Sequence, residues 1–336
     1  MSGGVDSSVA AALLKRAGFD VIGGFMELWK PSREGSKSER KARKVAHYLN
    51  IPFYQFNFQK EFKKRIVDYF LKEYQKGRTP NPCVVCNNKI KFGLLLEKTS
   101  ELDIGFLASG HYVRIRKAKN DSEKHTILKA RDEKKDQSYF LWQLTQPRLK
   151  DLLFPVGDYQ KSEVRDLADD FNLPLESPDE SHEVCFIPNE TKEFLQEQIP
   201  EKPGKIMTPE GKELGNHQGV HLFTLGQRKG LGLANGPWYV LDKDVEERKL
   251  VVTKDRDELH QKSLRAGKVN WITGQPDLPL KVKAKIRYNS AGSKAELHKE
   301  EGNLKVVFAE SQWAIAPGQS VVFYEGDRLL GGGIIQ

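Results

Sequence analysis

Seven residues at the start constrain the fold more than any other stretch. Ser2-Gly3-Gly4-Val5-Asp6-Ser7-Ser8 runs straight into an apolar helical segment at 9–14. Paired glycines let backbone N–H groups converge on an anion, while hydroxyls and a helix N-terminus add donors and a positive dipole. The plainer alternative is a glycine-rich turn that merely caps a helix. A loop set between strand and helix favours a phosphate cradle. It is not a Walker loop, because the GxxxxGK[ST] lysine and spacing are absent. Ligands in such folds bind outside the carboxyl ends of parallel strands, so an apolar strand should lead into the loop. Only Met1 precedes it. The expectation is therefore a late start or a missing first, central strand, which leaves the neighbouring strands with unpaired backbone groups.

The first half alternates apolar runs with helical patterns, which predicts an α/β domain with a parallel, doubly wound sheet. A helix at 9–17 precedes a strand at 21–28, a lysine-rich segment becomes a helix through residue 48, and 51–58 is the next strand. Phe62, Ile66, Phe70 and Tyr74 recur every four residues and mark one helix face ending at Gly77. Arg78-Thr79-Pro80-Asn81-Pro82 reads as a stiff non-helical loop, since each proline disfavours helix in the residue before it. A short strand at 104–109 ends at Gly110-His111, where small residues leave room for a ligand.

Between residues 187 and 203 the texture changes. Short alternating runs at 220–224, 238–241, 249–253, 281–286, 304–308 and 320–324, separated by glycine-containing turns, predict a small β-rich module and then a β-barrel. The expected domains are 1–195, 196–258 and 259–336.

Length, at 336 residues, allows two or three cores. A 38% hydrophobic and 30% charged composition is ordinary for a globular protein. No apolar run is long enough to span a membrane. The net charge of +8 suits a polyanion partner, although a lysine-rich surface alone gives the same sum. Three cysteines are too few for a secreted disulfide framework and fit a reducing cytoplasm better.

Cys83 and Cys86 follow the proline-rich loop, and Cys185 lies in Ser181-His182-Glu183-Val184-Cys185-Phe186. A lone CxxC occurs in redox proteins and metal knuckles alike, and a closed zinc site would need further ligands. Lys89 and Lys91 would favour thiolates, so reactive cysteines are expected rather than inert ones.

The opening loop resembles the pyrophosphate loop of ATP pyrophosphatases. Gly77-Arg78-Thr79-Pro80-Asn81-Pro82-Cys83-Val84-Val85-Cys86-Asn87, with Ile90-Lys91-Phe92 beyond it, resembles the signature of bacterial-type tRNA-specific 2-thiouridylases. Ser109-Gly110-His111-Tyr112, Lys135-Asp136-Gln137-Ser138-Tyr139-Phe140-Leu141 and Phe154-Pro155-Val156-Gly157 continue the match. So do Leu225-Gly226-Gln227-Arg228-Lys229-Gly230-Leu231-Gly232, Trp238-Tyr239-Val240, Arg287-Tyr288 and Gly331-Gly332-Gly333-Ile334-Ile335. The similarity spans the whole chain apart from the first strand.

That resemblance implies an ATP pyrophosphatase domain followed by the two β-rich parts, acting on the wobble uridine of a tRNA anticodon stem-loop. Ser2, Gly3, Gly4, Val5, Asp6, Ser7 and Ser8 would hold ATP, with Met26 and Gly110 bordering the adenosine and Asp6 a candidate for Mg2+. ATP would adenylate the C2 oxygen, so that a sulfur nucleophile displaces AMP. Cys185 would carry sulfur as a persulfide received from a cysteine desulfurase or relay protein. Cys86 would be its partner, forming a disulfide with Cys185 as sulfur is passed on.

Asn81, Pro82 and Cys83 would surround the flipped base, with Lys135, Asp136, Gln137, Arg287 and Tyr288 touching tRNA elsewhere. Arg228 and Lys229, expected on a glycine-rich hairpin, are further phosphate anchors or simply solvated turn residues. His111 and His182 receive no catalytic role. Some relatives carry aspartate in place of Cys83. Three cysteines therefore leave open a 4Fe–4S cluster on Cys83, Cys86 and Cys185 with one free iron. Another ATP pyrophosphatase and a catalytically impaired tRNA-binding homologue are the competing readings.

Overall fold

Helix α1 (Val5–Arg16) starts directly after Gly4, and its residues Ser8 to Ala12 are all buried. Its apolar middle, Val9 to Ala12, packs in one core with Val45, Tyr112, Val156 and Val164, while Lys15 and Arg16 at its end are exposed. The computed structural model describes residues 1–29, 34–118, 121–176, 184–187 and 190–336. His182 lies outside them.

Strand β1 (Gly23–Glu27) crosses through α2 (Glu34–Tyr48) to β2 (Phe53–Asn57), its parallel neighbour. The four-residue apolar repeat expected as one helix forms α3 (Gln59–Phe62), a π-helical turn Lys63–Val67 and α4 (Asp68–Gln75). Phe62, Ile66, Phe70 and Tyr74 are all buried, as their spacing required. Gly77, at φ +73°, ends the run.

After the loop at 78–81 comes α5 (Pro82–Cys86), with proline in its first turn and the Asn81 side chain accepting from Val84 N at 3.3 Å. The chain continues as a π-helix, Asn87–Leu94, and then α6 (Leu95–Ser100). Strand β3 (Leu107–Ala108) is followed by a hairpin of β4 (Val113–Ala118) and β5 (Asp121–Lys129). Next come α7 (Gln146–Leu149), β6 (Leu152–Leu153), α8 (Lys161–Asp170) and α9 (Thr191–Gln198). β6 pairs with β3 in parallel.

The expected doubly wound sheet is thus present as two separate parallel pairs, β1–β2 and β3–β6. Among the described residues no strand hydrogen-bonds one pair to the other. The Met1 amine donates to Gly24 O, so the approach to the loop runs beside β1.

The middle module is a four-stranded sheet in the order β8-β7-β10-β9, built from β7 (Gly204–Met207), β8 (Glu213–His217), β9 (Tyr239–Asp244) and β10 (Lys249–Thr253). Two local expectations fail here. Residues 220–224, expected as a strand, form a buried 3-10 turn at Val220–Leu222. The Arg228–Lys229 segment is not a hairpin, because Gly226, Gly230 and Gly232 all take positive φ and break any ladder.

The last part is a closed antiparallel barrel of β11 (His260–Trp271), β12 (Leu280–Lys285), β13 (Ser293–Glu300), β14 (Asn303–Trp313), β15 (Ser320–Glu325) and β16 (Arg328–Ile335). Its order is β11-β14-β13-β12-β15-β16, and β16 returns to β11. The β4–β5 hairpin of the first half extends this sheet, with Ile127 opposite Leu329.

Apolar contacts cross both borders. One core joins Phe62, Phe70 and Cys86 to Ile206 and Val252 of the middle module; another joins Trp142 and Tyr139 to Val322 and Tyr324 of the barrel. A side chain at Gly332 would meet the Trp142 ring at 2.9 Å, so the glycine lets that indole dock. No helix among the described residues is long and apolar enough to cross a membrane.

Candidate active site

The opening loop is held by its own hydroxyls. Ser2 Oγ lies 3.1 Å from Ser7 Oγ, Ser7 Oγ donates to Gly4 O at 3.0 Å, and Ser8 Oγ donates to the same carbonyl at 2.9 Å. No side chain caps α1, so its first-turn amides keep their capacity to bind an anion. Gly110, just past β3, presses against this loop: a Cβ there would lie 2.7 Å from both Asp6 C and Ser7 N. Met26, near the carboxyl end of β1, is partly buried against the core that contains Cys86. Gly110 and Met26 both stand near carboxyl ends of parallel strands.

The residue after Gly110 leads to the thiols. His111 Nδ1 is 2.6 Å from Ser109 Oγ, and its ring sits 5.5 Å from that of Phe92. Burial first, and then the Lys91 charge, hold its pKa well below the usual value, so the imidazole is neutral at physiological pH. The same Lys91 acts on all three cysteines, but the thiolates expected from the nearby lysines do not result, because burial outweighs its charge at each. Burial pushes the Cys86 thiol up to about 12, with Lys91 opposing the shift. Cys83 is raised by burial and then by Cys185, again against Lys91. Cys185 is exposed at its surface, yet the protein packed around it still raises its thiol, and Lys91 is the leading opposing influence. All three are free thiols.

Geometry sorts the residues expected to touch tRNA. Asn81 caps α5, Pro82 is buried and Cys83 is half-buried. Lys135 is exposed, whereas Asp136 is buried and accepts from Ala130 N, Ser138 N and Ser138 Oγ at 2.8–3.2 Å. Gln137 is tied to Tyr112 in both directions, through Oε1 at 3.0 Å and its own amide at 2.9 Å. Tyr288 packs its ring 4.6 Å from Phe140, which unites two motifs far apart in sequence. Arg287 donates to Ala314 O at 2.5 Å and lies 5.2 Å over the Trp313 ring.

The loop before Cys83 is gripped from two sides. Thr79 N donates to Pro317 O at 2.8 Å and Gln319 Nε2 donates to Thr79 O at 2.8 Å, both from the barrel. Thr79 Oγ1 donates to Thr224 Oγ1 of the middle module at 3.2 Å.

Domain-family models match the chain from end to end: a tRNA methyl transferase HUP domain over 1–189, a tRNA methyl transferase PRC-barrel domain over 192–254 and an aminomethyltransferase beta-barrel domain over 261–335. The tRNA-specific 2-thiouridylase MnmA of Halothermothrix orenii is 47% identical, with 100% of this chain and 97% of that protein aligned. The chain belongs to the tRNA-specific 2-thiouridylase family. A 2-thiouridylase of Clostridium tetani is 45% identical over 100% of this chain and 97% of its own length, and one of Carboxydothermus hydrogenoformans 44% over 100% and 96%.

For a 2-thiouridylase the donor set fits ATP. The uncapped amides and hydroxyls suit its phosphates, and Asp6 alone among the loop residues offers a carboxylate. Mg2+ needs little more, since it is held by one or two carboxylates together with substrate phosphates. The cluster alternative does not fit as well: no three His, Cys, Asp or Glu side chains among the described residues are disposed to hold a metal.

Sequence reasoning missed two residues at this site. Tyr112 donates to Asp6 Oδ1 at 2.7 Å, and Lys161 Nζ reaches the same oxygen at 2.5 Å. Their separations of 106 and 155 positions leave no local signal.

Proposed function

We propose that this chain is an ATP-dependent sulfurtransferase that converts the wobble uridine of tRNA to 2-thiouridine, releasing AMP and pyrophosphate. One observation carries the reading. Gly110 packs on the loop at residues 2–8, and the ring of its neighbour His111 lies 5.5 Å from that of Phe92, on the helical segment that runs on from Cys86. Nucleotide and sulfur would therefore meet on one side of β3. The intact loop and three free thiols weigh against a binding-only homologue.

In this reading Ser2 to Ser8 hold the ATP phosphates, and Met26 and Gly110 flank the adenosine. Asp6 would hold Mg2+, which would supply charge neutralisation on the phosphates. The uridine O2 attacks the α-phosphorus and pyrophosphate leaves. Cys185 brings the sulfur as a persulfide loaded by a donor protein, a cysteine desulfurase or relay. Its exposure suits that delivery. The terminal sulfur attacks C2, and AMP departs with the C2–O bond's electrons. Cys86 attacks Cys185 Sγ, the sulfur stays on C2, and the resulting Cys86–Cys185 disulfide is reset by an external dithiol.

Asn81, Pro82 and Cys83 line the pocket of the extruded base, and Lys135, Arg287 and Tyr288 face the tRNA around it. A cleft of about 360 Å³ lined by Asn88, Lys89, Arg148 and Lys268 adds cationic anchors for phosphates. Asp136 and Gln137 act by shaping this surface from within. Reduced thiols suit a cytoplasmic setting.

The test compares Cys185→Ala with the wild type, using unmodified tRNA, ATP and a persulfide donor. Thiolation should vanish while tRNA affinity is kept. Wild-type protein that never forms AMP under these conditions refutes the proposal. Iron and acid-labile sulfide measured after anaerobic purification separate the persulfide route from a cluster.

A further inference from the structure

The phosphate loop contains no lysine of its own, yet tertiary structure delivers one. Lys161 opens α8, and its backbone N–H donates to Asp132 Oδ2 at 3.0 Å, which fixes where the side chain starts. Its ammonium reaches Asp6 Oδ1 at 2.5 Å and lies 5.6 Å from the centre of the Tyr112 ring. The Lys161 side chain is 18% exposed and that of Asp6 35%, so the pair lies at the mouth of the loop rather than in the core.

One carboxylate oxygen receives both Lys161 and the Tyr112 hydroxyl. A cation arriving with nucleotide must compete with this ammonium for Asp6. The phosphates that bring the cation are the strongest alternative partner for a lysine. The two exchanges are complementary, because each charge released finds an opposite charge at the same moment.

We propose that Lys161 is a polyphosphate-binding residue stored on Asp6: when nucleotide enters the loop, its ammonium passes from the Asp6 carboxylate to the phosphate oxygens, freeing Asp6 for the accompanying cation. This rests on the reading of the loop as an ATP site. It goes further by naming a lysine absent from the loop's own sequence and a competition between Lys161 and Mg2+.

The test measures affinity of the full-length protein for ATP, with EDTA and with Mg2+, in wild type, Lys161→Gln, Lys161→Arg, Asp6→Asn and the Asp6→Asn/Lys161→Gln double variant. Without Mg2+, Asp6→Asn should tighten ATP binding, because Lys161 is then free. Lys161→Gln should weaken it by about tenfold or more, the usual worth of a charged hydrogen bond, and Lys161→Arg should retain most of it. The decisive comparison lies within the Asp6→Asn background, where no carboxylate needs neutralising. A further loss on adding Lys161→Gln supports phosphate binding. Equal affinity in the two proteins overturns it and leaves Lys161 as a structural partner of Asp6. Unchanged adenosine affinity shows that the pocket is intact in each variant. If wild-type protein binds no ATP under either condition, the reading of the loop fails, which is a different result from wild-type binding with no effect of Lys161.

Discussion

Gly110 lies so close to Asp6 that a Cβ on it would stand 2.7 Å from the Asp6 carbonyl carbon and 2.8 Å from its oxygen. Neither contact is with a flexible side-chain end. The loop backbone itself would have to move.

Gly110→Ala is therefore expected to displace the amides of Asp6 and Ser7 and to lower thiolation by about tenfold to a hundredfold through misplaced phosphates. ATP affinity and AMP formation measure it. Gly105→Ala is the control, because a Cβ there meets nothing within 4 Å.

Lys91 opposes the upward shift of every thiol in the cluster. Lys91→Met should raise the Cys185 thiol further and reduce its thiolate fraction. The rate of iodoacetamide alkylation at Cys185, followed by mass spectrometry between pH 7 and 9, should fall several-fold. A rate equal to that of the wild type contradicts the shared-charge account.

Lys243 of the middle module donates to Phe223 O at 2.8 Å, and burial lowers its pKa to about 8. The folded state thus binds fewer protons than the unfolded state between pH 8 and the ordinary lysine value of 10.5, and this residue's contribution to stability rises with pH across that window. At pH 7 the charge carries its full desolvation penalty. Lys243→Met should raise Tm at pH 7, and the difference from the wild type should shrink towards pH 10. A difference independent of pH would exclude titration of Lys243 as its source.

Tyr139 is fully buried and its hydroxyl donates to Ser320 O at 2.8 Å, joining the first half to the barrel. Tyr139→Phe should cost about 1–2 kcal/mol. The urea midpoint should drop with the m-value unchanged.

What the sequence disclosed follows from the range of the forces involved. The glycine-rich turn running into α1, the Phe62–Tyr74 stripe and most of the later strands are local patterns, and all were legible. The β4–β5 hairpin was not assigned, although Val113-Arg114-Ile115-Arg116 alternates as an edge strand should. Its partnership with β16 is a contact across some 200 residues that no periodicity encodes. Glycines misled in the other direction: those at 226, 230 and 232 suggested a hairpin but adopt positive φ in an irregular loop.

The site shows the same division. Cys83, Cys86 and Cys185 stood out by residue type. Lys161 and Tyr112 acquire their meaning only when folding brings them to Asp6. Asp136 was named through the family resemblance alone; its three internal donors, Ala130 N, Ser138 N and Ser138 Oγ, come from folding and carry no signal in the sequence pattern.

Thr79 is moored to Thr224 on one flank and to Pro317 and Gln319 on the other, only a few residues ahead of Cys83. The helix bearing Cys83 and Cys86 is therefore footed both in the core of its own domain, through Cys86 and Val84, and in the two β-rich parts through the loop that precedes it. The proline-stiffened loop ahead of the thiols is thus a three-way junction, and the seating of either β-rich part bears on where that loop lies.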